Sequence, residues 1–424
     1  MRRSHYGVVV GAVVLLAIPY AVGGASFHAD DFNFLRNSHF DGALGAAGSR
    51  QVGRPGASLI YDLTFGLIGE HPNAMYVVQV ALWAAAAAAL LVALRQFTTP
   101  SRALAVVLVW LIVPTHTALE HWASTSQALV ALVLALLGIR ALTTAADRNT
   151  SGWLGIAALG AAIATYEATV GLAVLAVVAV PWLRTGGVNR PLLLRGAIGL
   201  GIPIVWAVAH PVYVDTTGHL DLELALPGNL SLGLEPFGTA GRLMFAIALA
   251  GMLVALLRLV RSTDRASLHY EVLVVAGVAI LLMGLAPLVS IRSNFYGMDD
   301  RLTVVSGIGA AMIWVGITGM CVERVSRQWA IAVPALGLLA IAVPLRVTSN
   351  REWVDSGRLA HAETERLVQL LQQSPHVEVV GPLAGVGYVT GLHDGWNATA
   401  AAQLRMNRQD VVIDVLINNE LTGP

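Results

Sequence analysis

Long apolar runs separated by short polar segments dominate the chain. Most runs are roughly 18 to 25 residues long, the length at which a helix crosses the hydrocarbon core of a bilayer. The first run is too long for the apolar part of a typical signal peptide, so we interpret it as a retained span. We expect about eleven membrane-spanning helices, at residues 7–25, 74–94, 103–119, 123–140, 153–166, 168–183, 196–214, 240–258, 270–290, 302–320 and 328–345.

One apolar stretch, residues 153–183, is interrupted only by Tyr166 and Glu167. As a single helix it would be about 46 Å long, well beyond a bilayer core of about 30 Å, and its flanking arginines would lie on opposite sides. We therefore predict a hairpin of two short helices with Glu167 at its tip. Glu167 would then lie below the outer surface, at the floor of a cavity that opens to the outside.

Composition agrees with this class of protein. The chain is 56% hydrophobic and 12% charged, with a mean hydropathy of +0.68. Its formal net charge is zero and its 26 basic residues are all arginine, so the overall charge does not favour nucleic acid as a partner. The single Cys321 permits no internal disulfide. The predicted fold class is an all-α polytopic membrane protein.

The arginines indicate which side each loop faces. Arg2 and Arg3 precede the first span, and most other arginines before residue 346 fall in loops on the same side, which should be cytoplasmic. We therefore predict a transmembrane domain at residues 1–346, whose long first loop, 26–72, is outside. Residues 347–424 combine helical and strand-like patterns, and we expect them to form a small extracytoplasmic α/β domain.

Acidic residues and histidines gather on the predicted outer side. The clearest group is the pair Asp30-Asp31, a few residues after the first span. Two adjacent carboxylates at a bilayer surface are costly unless they are used, so both are candidate catalytic residues. The alternative is that Asp30 caps a helix that starts at Asp31.

Polar residues at three other places are further candidates, Glu167 for catalysis and the others for substrate binding. His116, Glu120 and His121 lie at the outer mouth of the third and fourth spans, where they either bind substrate or join two helices through a hydrogen-bonded pair. Glu167 interrupts an apolar run and is the stronger candidate. Arg292 and Arg301 in the last outer loop could hold a lipid phosphate, or extend to the membrane interface.

Together these motifs resemble the GT-C class of integral-membrane glycosyltransferases, and within it the bacterial relatives of protein mannosyltransferases that use polyprenyl-phosphate sugars. The resemblance rests on the order of short motifs and on their common side. They are Asp30-Asp31-Phe32, Arg54-Pro55, Tyr166-Glu167, Arg301 and the small domain after the last span. It implies that Asp30 or Asp31 is the catalytic base or a metal-binding neighbour of it. We find no motif that identifies an acceptor peptide.

The sequence therefore predicts an enzyme of the bacterial inner membrane whose active site faces outward. It would move a sugar from a polyprenyl-phosphate donor to a glycan, lipid or protein acceptor of the cell envelope. Glu167 would position the reactants, Arg54, Arg292 and Arg301 would hold the phosphate, and Tyr166, His116, Glu120 and His121 would contact substrate. Mg²⁺ or Mn²⁺ would suit Asp31 and Glu167, although the sequence leaves a metal open. A lipid-linked glycan polymerase or ligase and a transporter or flippase are the alternatives.

Overall fold

The structure of the protein is a computed structural model. It describes residues 4–48, 54–113, 116–148, 150–185, 190–209, 246–258 apart from 248 and 256, 269–285, 304–322, 329–380, 383, 385–386, 389–392 and 395–416.

Helices make up most of the described chain. In order they are α1 (Ser4–Gly23), α2 (Asp30–Asp41), α3 (Pro55–Ile68), α4 (Pro72–Leu94), α5 (Pro100–Ile112), α6 (Ala118–His121), α7 (Ser126–Arg148), α8 (Trp153–Thr165), α9 (Val170–Thr185), α10 (Arg190–Ala209), α11 (His269–Leu285), α12 (Val304–Val322), α13 (Trp329–Leu371) and α14 (Gly395–Met406). Four short strands lie near the C-terminal end: β1 (His376–Val380), β2 (Gly385–Val386), β3 (Val389–Thr390) and β4 (Val412–Leu416).

Four of the described helices are long and apolar enough to cross a membrane: Ser4–Gly23, Pro72–Leu94, Ala123–Arg148 and Val304–Val322. Further apolar helices are shorter, among them α5 and α8. These helices make the chain a helical membrane protein, while the count of about eleven spans stays a prediction.

Helix α5 is shorter than the predicted span at 103–119. It ends at Ile112, and Val113 has an extended backbone with φ −69° and ψ 123°. Val113 precedes Pro114, and the proline ring disfavours helical geometry in the residue before it. His116, Glu120 and His121 therefore lie outside the helix, in a buried segment that leads through α6 into α7.

The apolar run at 153–183 is a hairpin, as predicted. Helix α8 ends at Thr165, a 3₁₀ turn covers Glu167–Thr169, and α9 begins at Val170. The guanidinium of Arg195, in the first turns of α10, donates to the carbonyl of Ser151 (2.9 Å), just before α8. The chain has thus returned to the side on which α8 began.

The first long loop folds into helices that pack on each other. It contains α2 and α3, and Phe34 of α2 stacks on Tyr61 of α3 with ring centroids 4.0 Å apart. Both rings are buried. This packing gives the acidic pair a fixed place in the molecule.

Helix α13 passes without a break through position 346, where the sequence analysis divided the chain. With 43 residues it is about 65 Å long, so it extends well beyond a bilayer core. After it, β1 and β4 pair in parallel, with His376 opposite Val412, and α14 precedes β4. The described elements are those expected of an α/β unit, and the division into two domains stays a prediction.

Candidate active site

Asp30 and Asp31 are the last two residues of a tight turn at residues 28–31. The turn closes with a hydrogen bond from the backbone N–H of Asp31 to the carbonyl of His28 (2.9 Å). The Asp31 carboxylate accepts from two backbone N–H groups, that of His28 at Oδ2 (3.0 Å) and that of Ser124 at Oδ1 (2.8 Å). Asp31 is fully buried and ties α2 to the segment before α7.

Asp30 has different surroundings from Asp31. It is half-buried, whereas Asp31 is fully buried. Helix α2 begins at Asp30, the residue before the helix is Ala29, and no side chain caps the helix start. The interpretation of Asp30 as the cap of a helix that starts at Asp31 is therefore wrong. Of the two residues, Asp30 is the one with exposed surface.

Burial raises the pKa of Asp31 from 3.8 to about 8, against the lowering effect of the backbone N–H groups of His28 and Ser124. A raised pKa means that the folded state binds this proton more tightly than the unfolded state. The stability that Asp31 contributes is therefore complete below about pH 4 and is lost as the pH rises through about 8.

We expect the melting temperature of the wild type to fall from about pH 4 to about pH 8 relative to that of Asp31→Asn, which cannot titrate. Asp41→Asn makes the same change at an exposed position on the same helix and should keep the wild-type profile. Differential scanning fluorimetry in detergent measures both. If the melting temperature of the wild type instead rose relative to that of Asp31→Asn over this range, the hydrogen bonds from the two N–H groups would lower the pKa of Asp31 by more than burial raises it.

His28, the first residue of the turn, makes buried hydrogen bonds with both its side chain and its carbonyl. Its Nε2 is hydrogen-bonded to the hydroxyls of Tyr20 and Ser26 (3.1 Å each), and the indole N–H of Trp122 donates to its carbonyl (3.0 Å). Burial lowers the pKa of His28 to about 3, so the imidazole is neutral at physiological pH. This histidine is a packing element of the site.

Arg54 and Glu167 form a bidentate ion pair across 113 positions of sequence. Arg54 Nε donates to Glu167 Oε2 (2.7 Å), and Nη2 donates to Oε1. The guanidinium also lies over the ring of Tyr166, 5.3 Å from its centroid. Arg54 is buried, and the Glu167 side chain is 21% exposed. The sequence placed all three in the site, and the structure brings them together at the hairpin tip.

Contacts connect this ion pair to the acidic turn. Arg54 immediately precedes α3, and Tyr61 of α3 donates its hydroxyl proton to the carbonyl of Ser124 (3.0 Å). The N–H of the same Ser124 binds Asp31. The acidic turn and the Arg54–Glu167 pair are thus parts of one connected region.

A second buried ion pair joins Glu120 to Arg346 of α13. His116 and His121 lie beside Glu120, with nitrogen to oxygen distances of 3.7 and 4.0 Å. Burial raises the pKa of Glu120 to about 7, against the lowering effect of Arg346, and burial lowers the pKa of both histidines to about 3. The cluster fastens the segment after α5 to α13. A role of these three residues in substrate binding stays a prediction.

The sequence analysis missed Arg346 and Asn350, which complete this cluster from α13. Arg346 donates to the carbonyl of Leu111 (3.0 Å), and Asn350 accepts from His121 Nε2 (2.8 Å). A signal was present, because a carboxylate in apolar surroundings requires a cation. Arg346 ends the last apolar run and was the available partner.

Two predicted residues, Arg292 and Arg301, lie outside the described part of the chain. Asp31 and Glu167 do not fit as a pair of metal ligands, because the Asp31 oxygens accept backbone N–H groups and both Glu167 oxygens accept from Arg54. In the residues that the structure covers, no three His, Cys, Asp or Glu side chains converge as a metal site requires. We therefore derive no step through a metal.

The sequence matches no protein-family model and no curated protein. Similarity appears in three dimensions, with the oligosaccharyltransferase of Archaeoglobus fulgidus in its apo form. The TM-score is 0.53 at 10% identity, over 100% of this chain and 65% of the archaeal one. The fold is that of the GT-C class. This chain thus spans about two thirds of the length of the enzyme that it resembles.

Two other structures of the archaeal enzyme resemble the chain less closely. A complex with Zn and sulfate gives a TM-score of 0.49 at 11% identity, covering 96% of this chain and 62% of that one. A complex with an inhibitory peptide and a dolichol-phosphate gives 0.47 at 10% identity, covering 96% and 64%. At these identities the likeness is one of fold. Within this GT-C fold, the acidic turn and the Arg54–Glu167 pair are polar groups of the first loop and its contacts.

Proposed function

We propose that the protein is a membrane glycosyltransferase that moves a sugar from a polyprenyl-phosphate donor to an acceptor of the cell envelope. The observation that carries the proposal is the half-buried Asp30 at the first turn of α2, in the loop after the first span of a GT-C fold. The oligosaccharyltransferase with this fold supports a reaction of this class.

Asp30 is the catalytic base in this proposal. Its carboxylate takes the proton of the acceptor hydroxyl as the oxygen attacks the anomeric carbon of the sugar, and the bond from that carbon to the phosphate oxygen breaks. Asp31 does not take part directly. Its two backbone hydrogen bonds hold the start of α2, and so the place of Asp30.

Arg54 stabilises the leaving phosphate in this proposal. A planar guanidinium suits phosphate oxygens, and the two hydrogen bonds that Arg54 donates to Glu167 fix its orientation. Glu167 is then a positioning residue rather than a base, and the ring of Tyr166 packs against the guanidinium of Arg54. Arg292 and Arg301 remain additional candidates for holding the phosphate.

The predicted topology would place the reaction on the outer side of the membrane. With the N terminus in the cytoplasm, the loop that holds α2 faces outward, so donor and acceptor would meet at the outer face of a bacterial inner membrane. The partners are a polyprenyl-phosphate sugar, a glycan, lipid or protein acceptor, and the bilayer. A polyprenyl-phosphate carries its sugar at the lipid–water boundary, where such an outward site would act.

The test is an analysis of a deletion strain by mass spectrometry of polyprenyl-phosphate sugars and cell-envelope glycans. We expect one polyprenyl-phosphate sugar to accumulate and one sugar to disappear from the envelope, because the donor is no longer consumed. Expression of the wild-type gene should reverse both changes. An unchanged glycan profile together with unchanged donor levels would contradict the proposal. Purified protein in liposomes separates transfer from transport, since only an enzyme joins the sugar to an added acceptor.

A further inference from the structure

The C-terminal part of the chain contacts the turn at residues 28–31, which contains Asp30. The N–H of Ala29 donates to the carbonyl of Gly391 (2.7 Å). The ring of Trp353 in α13 packs edge-to-face against His28, with centroids 4.9 Å apart. Gly357, one turn further along α13, lies so close to Ser26 that a Cβ there would overlap the Ser26 hydroxyl. The turn is therefore enclosed from this side by backbone and aromatic groups.

Ala29 has a backbone conformation that residues with a side chain rarely adopt. Its φ is 41° and its ψ is −112°. It occupies the first central position of the turn at residues 28–31, and Asp30 occupies the second. These angles are near those of a type II′ turn, whose first central position is usually glycine. Strained backbone persists only where its surroundings fix it, and such positions are concentrated at functional sites.

The same C-terminal part contacts α2 beyond the turn. Arg36 donates from Nε to the side-chain oxygen of Gln403 in α14 (2.8 Å), and His39 is hydrogen-bonded to Asn407 (2.9 Å). Phe32 packs against the buried apolar cluster of the C-terminal helices and strands. The whole helix that begins at Asp30 is thus seated against this part of the chain.

We propose that the described segments 353–380, 389–392 and 395–407 act as a clamp that holds Ala29 in its strained turn and so positions Asp30 for reaction. The inference rests on the proposed function, because it gives the C-terminal part a task in that reaction. Gly357 and Gly391 are positioning residues, which act on Asp30 through Ala29 and the turn. The clamp gives the C-terminal part an effect on turnover in addition to any effect on stability.

Gly391→Ala is the first test. A Cβ at position 391 would meet the Ser356 carbonyl oxygen at 2.6 Å and the Ala360 Cβ at 2.7 Å, so the segment must move away from α13 and carry its carbonyl with it. We expect kcat to fall by about 100-fold with little change in KM, since a misplacement of about 1 Å can have this effect. Gly337→Ala is the matched control, because nothing lies within 4 Å of a Cβ there.

Ala29→Gly provides the rescue that distinguishes positioning from general destabilisation. Glycine adopts this turn conformation without steric strain, so it needs the clamp less than alanine does. The double variant Ala29→Gly/Gly391→Ala should have a kcat at least about tenfold higher than that of Gly391→Ala alone. On a logarithmic scale this recovers about half of the 100-fold loss, and so about half of the lost activation free energy. A merely structural role would leave the double variant as slow as the single one.

A thiol at position 30 provides a readout that does not depend on sugar transfer. In Asp30→Cys with Cys321→Ser, release of the turn should expose the half-buried position and speed its reaction with a small thiol reagent. We expect faster labelling when Gly391→Ala or Gly357→Ala is added, and unchanged labelling with Gly337→Ala. Ala29→Gly should slow the labelling again in the Gly391→Ala background.

The labelling is measured on folded, monodisperse protein. If one of the variants Gly391→Ala and Gly357→Ala does not fold, the other is sufficient for the test. Unchanged kcat and unchanged labelling in a folded variant would overturn the clamp. If the labelling follows the expected pattern while the protein with Asp30 intact shows no sugar transfer, the clamp is supported and the proposed function is overturned.

Discussion

Asp30→Asn is expected to abolish sugar transfer while the protein remains folded. Asparagine has nearly the same size as aspartate but cannot accept the acceptor proton, and loss of a general base typically slows a reaction by about 100-fold to 10,000-fold. The half-buried position tolerates the change, because α2 has no side-chain cap that would be lost. Initial rates with a polyprenyl-phosphate sugar in liposomes, normalised to the folded protein, measure the effect.

Two controls sharpen this prediction. Asp41→Asn makes the same substitution at an exposed position at the other end of α2 and should transfer sugar at the wild-type rate. Asp31→Asn should act mainly on stability, because it changes one of the two backbone hydrogen bonds of a buried anchor. If Asp30→Asn keeps near-normal transfer while Asp31→Asn is folded and inactive, the base is Asp31 and our assignment is reversed.

The largest loss of stability is expected from separating Glu120 and Arg346. Both side chains are buried, at 1% and 6% exposure, so removing Arg346 leaves a buried carboxyl that must either stay charged without its partner or take up a proton. Breaking a buried pair in this way typically costs about 3–5 kcal/mol. Arg346→Met retains much of the apolar stem, so its effect reports chiefly on the charge. Unfolding by denaturant in detergent, followed by intrinsic tryptophan fluorescence, measures the free energy.

The double variant Glu120→Gln/Arg346→Met tests the pairing itself. Because it removes both charges, it should be more stable than the Arg346→Met single variant, and a cycle of the four proteins should show strong coupling. Additive effects of the two substitutions would mean that the charges act independently. Arg346→Met should also lose less stability near pH 5 than at pH 8, because the carboxyl of Glu120, whose pKa burial raises to about 7 even beside Arg346, is protonated at pH 5 with or without the arginine.

The sequence predicted those parts of the fold that depend on neighbouring residues. An interruption of an apolar run at Tyr166-Glu167 indicated the hairpin, since no single helix of that length suits a bilayer. The shortened α5 could also have been foreseen, because Pro114 restricts the residue before it. The count of spans cannot be judged in the same way, since the described helices include four that are clearly long enough to cross.

The contacts of the site could not be predicted from local patterns. Glu167 was expected at a cavity floor and Arg54 beside a phosphate, but their pairing spans 113 positions and leaves no local pattern in the chain. Arg346 and Glu120 lie 226 positions apart. The distinction between Asp30 and Asp31 depended on Ser124, whose N–H reaches one carboxylate and not its neighbour. Such differences arise from packing, which alternating polar and apolar residues do not encode.

The short helices of the hairpin affect the free energy needed to bring a lipid-linked sugar phosphate to the site. Helix α8 has 13 residues and is about 20 Å long, which is less than a bilayer core of about 30 Å, so in the proposed topology Glu167 and Arg54 would lie below the level of the surrounding headgroups. A phosphate could then reach them while its hydrocarbon tail stays among the lipids. Pulling ten methylene groups into water would instead cost about 8 kcal/mol. A recessed site would remove that barrier before any bond is made or broken.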